Sequence, residues 1–426
     1  MDAKTHREYL SASEAAELLG IRKQTLYAYV SRGLVRSVSD GGANRSKLYL
    51  RDDLHRLRVK ADARGGHEAA AATAMNLGAP IVPTHITEIT PQGPRYRGHL
   101  ATELVRHRAT FENVSELLWT GHLHDAPLRW PIDGAQTGVR QLSRHIPAAA
   151  SRHQMMEVLA LVTLQLAMGR GAVQDRLRSG RTLDATRQVI LALVGCFGFY
   201  RSRPRYVPVS RCHSVAHGLL LALGHSADVG SVGLIDALLV LMADHELSPG
   251  AFAARVAASA GASLHSCLAA ALTVSAGSEV ARLYERTNDF LDSALRADTL
   301  FRRADALLCS GRSVPGFDHP IYPQGDPRAR CLLDLLSETA HRRSPELRKI
   351  LGLVRCVEQA HGIHARHEMG VIAVCRSLGL PPQASPALFV LARIAGWVAH
   401  IQEQRLSRTL LRPRAKFVSE PFPMTE

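Results

Sequence analysis

Six residues near the amino terminus have side chains that suit contacts with DNA. They are Arg22, Lys23, Gln24, Thr25, Arg45 and Lys47. Cations and hydroxyls of this kind contact phosphates, and amides and guanidinium groups also read base edges. The same side chains would suit the solvated face of a module that docks on another protein. The residues therefore leave two interpretations open, DNA binding and protein docking.

These residues lie on a predicted unit of two helices and a hairpin. Ser11 can cap a first helix that ends at Gly20, and a second helix spans Lys23–Ser31. Two short strands around a Gly-rich turn follow and form a hairpin. The run LSASEAAELLGIRKQTLYAYVSRGLVRS resembles the winged helix-turn-helix of the excisionase and MerR class. The resemblance implies that the second helix enters the DNA major groove and that the hairpin tip reaches a flanking phosphate backbone.

The composition of the chain favours a helical protein with anionic partners. With 426 residues, of which 46% are apolar and only 5% aromatic, we expect two or three helix-rich units. The formal net charge of +14 suits nucleic acid, phosphorylated cofactors or carboxylate substrates. A GC-rich genome encodes many arginines, so the same net charge would also arise without any such partner.

Cysteine usage and hydropathy predict a reduced cytoplasmic protein. The seven cysteines form no CxxC pair, which argues against a disulfide framework or a metal cluster, so no metal is predicted. The amino terminus lacks the apolar core of a signal peptide. The longest apolar run, residues 189–200, is too short to span a bilayer. We therefore expect a cytoplasmic location and no membrane partner.

Beyond residue 76 the hydrophobic pattern is helical, and five segments carry recognisable motifs. In order they are YRGHL from residue 96, FENVSELLWTG from 111, ADHELS from 243, PGFDHPIYPQGDPR from 315, and GLP from 379 followed by LARIAGWVAHIQEQ from 391. In this order the segments resemble the citrate synthase family. Each motif is weak alone, but five in the expected order are strong support for the resemblance.

The resemblance implies a mostly α fold, with large and small helical domains preceded by the winged helix-turn-helix module. The module is placed in residues 1–66, the large domain in 67–254 and 371–417, the small domain in 255–370, and a flexible tail in 418–426. The implied reaction condenses an acyl-CoA, acetyl-CoA by default, with oxaloacetate or a related 2-oxo acid. The acyl-CoA is then a co-substrate, and no permanently bound cofactor is expected.

The resemblance assigns five residues to the oxaloacetate site of the family. His319 matches the histidine that polarises the ketone, and His245 matches the second histidine of that pocket. Arg328 and Arg393 match carboxylate clamps, which suit a dianion because guanidinium groups bind carboxylates in a bidentate manner. Arg412 matches an arginine that the family supplies from the partner subunit, so a homodimer is implied.

The acyl-CoA side matches the family less closely. The resemblance places Glu368 at the position of the catalytic base, which is Asp in the family, and Arg312 near a CoA phosphate. The family's enol-stabilising histidine has no counterpart, because no histidine lies between His265 and His319. Asp318 stands where the family has Gly, and we expect its carboxylate to raise the pKa of His319.

Two functions are consistent with these residues. The first is a citrate synthase-type acyltransferase. The second is a catalytically impaired relative that binds a dicarboxylate or a CoA ester and regulates transcription through its helix-turn-helix module. The oxaloacetate residues fit both functions, since a sensor needs the pocket as well, while the missing histidine favours the second.

Overall fold

In the computed structural model, the described residues are 9–31, 35, 37–39, 47–50, 53–54, 82–131, 136–146, 154–168, 182–209 and 213–413. They belong to two units, which are described separately here. One unit contains residues up to 83 together with those from 412 onward, and the other contains residues 84–411. The predicted boundary between residues 66 and 67, the predicted tail 418–426 and Arg45 lie outside the described residues.

Among its described residues, the amino-terminal unit has two helices and a three-stranded sheet, and residues 53–54 are also helical. Its elements are β1 (Tyr9–Ser11), α1 (Ala12–Leu19), α2 (Lys23–Ser31), β2 (Ser37–Ser39) and β3 (Lys47–Leu50). Strand β3 lies in the middle and pairs antiparallel with both β1 and β2. The predicted second helix and hairpin are confirmed, and β1 adds a third strand that the sequence pattern did not indicate.

Local signals set the ends of α1. The Ser11 hydroxyl accepts the backbone N–H of Glu14, while the Glu14 carboxylate accepts the Ser11 N–H at 2.9 Å, which makes a capping box. Gly20 ends the helix with a φ of 63°, a left-handed conformation that favours glycine. Leu26 of α2 and Tyr49 of β3 are buried in the small core of this unit. The capped helix, the glycine turn and this core hold α2 against the sheet.

The larger unit is built mainly from helices, so the predicted mostly α fold is confirmed. It begins with an antiparallel sheet of β4 (Thr87–Thr90), β5 (Gly93–Tyr96) and β6 (His99–Leu100). The α-helices that follow are α3 (Ala101–Arg106), α4 (Phe111–Thr120), α5 (Gln136–Leu142), α6 (Met155–Met168), α7 (Thr182–Cys196), α8 (Val215–Leu223), α9 (Val229–Leu241), α10 (Pro249–Ser259), α11 (Leu264–Ser275), α12 (Ser278–Asp292), α13 (Ala297–Cys309), α14 (Pro327–Glu338), α15 (Pro345–His361), α16 (His367–Ser377) and α17 (Ala384–Ser407). Short 3-10 turns span Ser143–His145, Phe197–Tyr200 and Ala340–Arg343.

Helix α17 is the most deeply buried long helix described in this unit. Most of its side chains are buried, and it packs against α4, α10 and α11. Because the helix is covered on most faces, its polar side chains Arg393, His400 and Gln404 are buried together with its apolar ones. Gly396 lets α17 approach the turn after α9, because a Cβ at that position would collide with the Asp244 carboxylate. The Gly396 N–H instead donates to the carbonyl of Ala243 at 3.1 Å.

Within the part of the chain that the structure describes, two segments are long and apolar enough, by length and composition alone, to cross a membrane. They are Thr182–Tyr200, with 19 residues, and Ala384–Ser407, with 24 residues. Of their most apolar windows, 78% and 89% are buried among other parts of the protein. The core helices of a folded domain pass the same test, so these two segments are weak evidence for a membrane span.

Two connections bring distant segments of the larger unit to one place. In the loop after α13, Phe317 forms a β-bridge with Ala365, and the Asp318 N–H donates to the carbonyl of His364 at 2.9 Å. Helix α14 also packs against α16. The loop that carries His319 therefore meets the starts of α14 and α16. The division of this unit into large and small domains stays a prediction.

Candidate active site

Two buried arginines form the centre of the candidate site. Arg328 lies at the start of α14 and Arg393 in the middle of α17, and they are 1% and 3% exposed. Among the described residues, Arg328 Nη1 and Arg393 Nε and Nη1 have no hydrogen-bond partner. Burial and the neighbouring Arg328 cation lower the pKa of Arg393. Two buried guanidinium groups with unpaired N–H donors make a site that suits an anion.

Asp326 fixes the orientation of Arg328. The Nε and Nη2 groups of Arg328 donate to the two carboxylate oxygens of Asp326 at 3.0 and 2.8 Å. Although burial opposes ionisation, the Arg328 cation and a hydrogen bond with His367 hold the pKa of Asp326 well below its usual range. The Asp326 side chain also caps α14 by accepting the Arg328 N–H at 3.0 Å. This pairing leaves Nη1 as the unpaired donor of Arg328.

A neutral histidine lies beside the arginines. His319 Nδ1 accepts the backbone N–H of Ile321 at 3.1 Å. Burial, reinforced by the Arg328 cation, lowers the pKa of His319 to about 4, so the ring is neutral at pH 7. Because Nδ1 is an acceptor, the single ring proton sits on Nε2. His319 can therefore donate a hydrogen bond from Nε2 without carrying a charge.

His245, at the turn after α9, lies close to His319. Their ring centroids are 6.1 Å apart, and His245 Nε2 is 3.0 Å from Tyr322 Oη. Burial, followed by the cations of Arg328 and Arg393, lowers the pKa of His245 well below its ordinary value. The structure thus brings together four of the five residues predicted for the oxaloacetate site, namely His245, His319, Arg328 and Arg393.

Glu368 lies in the first turn of α16 and is fully buried. Its carboxylate oxygens are 3.1 Å from Arg366 Nε and 3.2 Å from His367 Nδ1. The ring centroid of His367 is 5.9 Å from that of His319, and its Nδ1 is 3.7 Å from an Asp326 oxygen. Glu368 is therefore connected to the arginine cluster through His367, as a carboxylate that the protein itself neutralises.

A buried polar chain supports the turn that carries His245. Asp244 precedes His245, and one of its oxygens is 3.4 Å from His400 Nε2. His400 Nδ1 is 3.4 Å from Arg255 Nη1, and the same nitrogen of Arg255 pairs with Glu403 at 2.9 Å. These contacts link α10 and α17 to the turn after α9, and so they hold the backbone of His245 in place.

Two other predicted residues are exposed. Arg312 donates from Nε to the Ser310 hydroxyl at 3.0 Å, at the end of α13. Arg412 belongs to the unit that contains the chain termini. Contact of Arg312 with a CoA phosphate and of Arg412 with a partner's site stay predictions.

The expected effect of Asp318 on His319 is wrong. Asp318 is exposed, and the pKa of His319 is lowered rather than raised. The residue adopts a φ of 61°, in the left-handed region that Asp tolerates better than most residues. The backbone conformation therefore explains how Asp can stand where the family has Gly. The side chain lies in solvent, where its charge is screened.

The described candidates for DNA contact are all exposed. Arg22, Lys23, Gln24 and Thr25 lie at or just before the first turn of α2, and Lys47 begins β3. Their exposure is compatible with a DNA contact and with a docking surface.

Several side chains of the cluster were missed by sequence analysis. They are Tyr284, Tyr322, Asp326 and His367. Tyr322 and Asp326 lie inside the motif that contains His319 and Arg328, so their position in that motif could have indicated them. Tyr284 lies on α12 outside every motif, and nothing in the sequence singled it out.

In the described ranges, one group of three residues offers ligand atoms that could hold a metal ion. Ligand atoms of His319, Asp326 and His367 lie within 4.8 Å of one another. However, Asp326 is already paired with Arg328, whose Nη2 is also 3.4 Å from His367 Nδ1. A guanidinium at this place disfavours a second cation, because the two would repel each other at short range. That the chain needs no metal stays a prediction.

Comparison with known proteins identifies the family of the chain. Residues 76–414 match the citrate synthase C-terminal domain, which covers more than half of the chain. The chain belongs to the citrate synthase family. Residues 9–58 match a helix-turn-helix domain, in agreement with the two helices and the hairpin of the amino-terminal unit.

Relatives in this family are named as citrate synthases or 2-methylcitrate synthases. The 2-methylcitrate synthase of Shewanella oneidensis is 24% identical over 78% of this chain and 90% of that protein. The citrate synthase of Haloferax volcanii is 26% identical over 76% of this chain and 89% of that protein.

Solved structures of citrate synthases confirm the fold. The enzyme from Thermotoga maritima superposes with a TM-score of 0.65 at 22% identity, covering 82% of this chain and 95% of that one. A ternary complex of carboxymethyl coenzyme A and oxaloacetate with the citrate synthase of Thermoplasma acidophilum gives a TM-score of 0.64 at 21% identity. It covers 82% of this chain and 96% of that one.

Proposed function

We propose that the chain is a cytoplasmic citrate synthase-type acyltransferase. It condenses an acyl-CoA, with acetyl-CoA as the default, with oxaloacetate or a related 2-oxo acid. The observation that carries this proposal is the pair of buried arginines with unpaired N–H donors beside the neutral His319. Membership of the family supports the condensation chemistry, and the relatives' names support citrate or 2-methylcitrate as the kind of product.

Each group has a chemical role in this proposal. The unpaired N–H groups of Arg328 and Arg393 bind the carboxylates of the 2-oxo acid. His319 donates from Nε2 to the ketone oxygen and stabilises the alkoxide that forms there. Glu368 removes a proton from the carbon next to the thioester carbonyl, and that carbon then attacks the ketone carbon. Water hydrolyses the thioester and releases the CoA thiol, with Arg312 as a contact to a CoA phosphate.

Binding and turnover can be tested separately. We expect calorimetry to show oxaloacetate binding more tightly than pyruvate, because only oxaloacetate has a carboxylate for each arginine. Thiol release with acetyl-CoA and with propionyl-CoA then measures turnover and the preferred acyl chain. Equal affinity for both acids would contradict the two-arginine pocket, whereas oxaloacetate binding without any thiol release would contradict the acyltransferase.

A second function, a sensor that regulates transcription, is favoured by the helix-turn-helix domain itself. The module matches its family over residues 9–58, and its candidate DNA contacts are exposed. A dicarboxylate pocket without efficient turnover would serve as the ligand-binding part of such a protein.

DNA binding is tested in the full-length chain by removing two cations from α2 and its preceding turn. We expect the double variant Arg22→Ala, Lys23→Ala to bind DNA more weakly. The slope of log affinity against log salt should fall by about 2, because two phosphate contacts no longer release counterions. The matched control is Arg302→Ala, Arg303→Ala, which removes the same charge from an exposed face of α13. Equal effects in the two variants would mean that net charge, rather than this module, binds DNA.

A further inference from the structure

Tyr284 is a buried tyrosine whose hydroxyl has no hydrogen-bond partner among the described residues. It lies on α12 and is 1% exposed. Leaving a buried hydroxyl unsatisfied costs about 1–3 kcal/mol. Such a group in a well-packed protein calls for an explanation, and a ligand that hydrogen-bonds to it is one.

The ring of Tyr284 lies in the candidate active site. Its centroid is 6.3 Å from that of His367 and 5.6 Å from that of Phe389. Phe389 in turn lies 4.7 Å below the guanidinium carbon of Arg393, and His367 contacts Glu368 at 3.2 Å. Tyr284 is therefore next to both the proposed base and the proposed carboxylate clamp.

The hydroxyl of Tyr284 is a donor at neutral pH. Burial, followed by the nearby Glu368 carboxylate, raises the pKa of Tyr284 well above its ordinary value. A phenol that stays protonated can donate a hydrogen bond to an oxygen on which negative charge develops.

Tyr284 also lies in the interval of the sequence where the resemblance leads one to expect a hydrogen-bond donor to the thioester carbonyl oxygen and where no histidine is present. No histidine lies between His265 and His319, and this interval contains all of α12. Tyr284, on a helix within that interval, has its ring 6.3 Å from that of His367, which contacts the proposed base. The proposed condensation needs a donor there, because removal of the proton next to the thioester moves charge onto the carbonyl oxygen.

We propose that the Tyr284 hydroxyl donates a hydrogen bond to the thioester carbonyl oxygen of the acyl-CoA while Glu368 removes the proton from the adjacent carbon. The C–H bond breaks and its electron pair forms the carbon–carbon double bond of the enolate. The π pair of the carbonyl moves onto the oxygen, and the proton goes to the Glu368 carboxylate. This assignment rests on the proposed acyltransferase function and names a further catalytic residue for it.

A purely structural explanation is also available for the unpaired hydroxyl. Tyr284 borders a cavity of about 450 Å³ together with Asn288 and Pro386, and a water molecule there could satisfy the hydroxyl. Tyr206 supplies the matched control, because it is also buried and its hydroxyl also has no partner among the described residues. It packs over Gly195 of α7 rather than against His367 or Phe389.

The test compares Tyr284→Phe with Tyr206→Phe in three measurements. They are oxaloacetate affinity by calorimetry, the rate of thiol release, and the affinity for carboxymethyl coenzyme A in the presence of oxaloacetate. This analogue carries its carboxylate one carbon beyond the position of the thioester carbonyl carbon, so it brings negative charge into the region where the enolate forms. We expect Tyr284→Phe to lose about 10²–10³-fold in rate and a large part of the analogue affinity, with oxaloacetate affinity unchanged. Tyr206→Phe should leave all three unchanged.

Three outcomes overturn the assignment, and they can be told apart. If Tyr284→Phe loses no more than Tyr206→Phe in both rate and analogue affinity, the hydroxyl has only a structural role and the proposed function stands. If the wild type binds oxaloacetate but neither acyl-CoA nor the analogue, the assignment fails while the dicarboxylate pocket stands. If the wild type does not bind oxaloacetate and releases no thiol, the proposed function fails and the role of Tyr284 fails with it.

Discussion

The candidate active site has an arginine half, formed by His245, His319, Arg328 and Arg393, and a carboxylate half, formed by Arg366, His367 and Glu368. The arginine half has N–H groups without protein partners and two cations that destabilise each other. In the carboxylate half, Glu368 is held by Arg366 and His367 at 3.1 and 3.2 Å. The first half is therefore arranged for an anion that comes from outside, while the second is neutralised within the protein. Glu368 Oε1 nevertheless has no hydrogen-bond partner among the described residues, so the proposed base keeps one oxygen that can accept a proton from a substrate.

Replacing Glu368 should have the largest effect, because it removes the proposed base outright. We expect Glu368→Gln to lower the rate of thiol release by about 10²–10⁴-fold while oxaloacetate still binds. The control is Glu358→Gln, since Glu358 also pairs with a histidine, His364, at 3.2 Å. Steady-state rates for both variants decide the matter. Should Glu368→Gln turn over as fast as the control, the carboxylate half is structural and the base lies elsewhere.

Replacing Arg393 should weaken ligand binding without weakening the fold. Truncating one partner of a buried charge pair costs about 2–5 kcal/mol, so we expect Arg393→Met to lower oxaloacetate affinity by roughly 30-fold to several thousand-fold. The apo protein should melt at the same or a higher temperature, because a buried cation with two N–H groups that lack hydrogen-bond partners is removed.

Arg255→Met is the matched control for this variant. Arg255 is 1% exposed, but it is paired with Glu403 at 2.9 Å and with Gln404 at 3.0 Å. Its removal leaves buried groups unsatisfied, so the melting temperature should fall instead. Similar melting behaviour in the two variants would show that Arg393 has protein partners in solution.

The buried carboxylate of Glu112 and the half-buried carboxylate of Asp236 beside it offer the mildest test of the same idea. Burial and the Asp236 carboxylate raise the pKa of Glu112 to about 7, whereas Asp326, paired with Arg328, has a lowered pKa. A raised pKa means that stability is complete below the ordinary value of 4.5 and is lost as pH rises through about 7. Glu112→Gln should therefore melt a few degrees above the wild type at pH 8 and at nearly the same temperature at pH 4.5.

Thermal melts across this pH range, with the exposed Glu103→Gln as control, check the prediction for Glu112. Glu112 Oε1 accepts the Val215 N–H at 2.9 Å, and the Gln amide oxygen can take over that hydrogen bond. A difference between variant and wild type that does not change with pH would indicate that Glu112 is already ionised in the folded protein.

The elements that could be predicted best from the sequence are those whose signal is local. The cap at Ser11 and the helix Lys23–Ser31 were found, because capping residues and apolar spacing lie within a few residues of each other. Strand β1 was not found, because its pairing with β3 joins residues that are far apart in the chain. A strand of only three residues is too short to show an alternating hydrophobic pattern.

In the candidate site, family motifs indicated His245, His319, Arg328 and Arg393, and the structure brings them together. Motifs could not show that Tyr284 faces the same cluster, since its place depends on how α12 packs. The expected influence of Asp318 on His319 was wrong for a similar reason. Adjacency in sequence says nothing about whether a side chain points into the site or into solvent.

If the proposed dicarboxylate binds to the unpaired N–H groups of Arg328 and Arg393, the stability of the chain depends on the concentration of that ligand. Two neighbouring buried cations repel each other, so a bound dianion relieves a cost that the empty protein must carry. Binding of such a ligand to the folded state alone raises the free energy of unfolding in proportion to the logarithm of its concentration. In a cell, the abundance of the dicarboxylate would thereby set how long the folded chain survives proteolysis, whether or not a single turnover takes place.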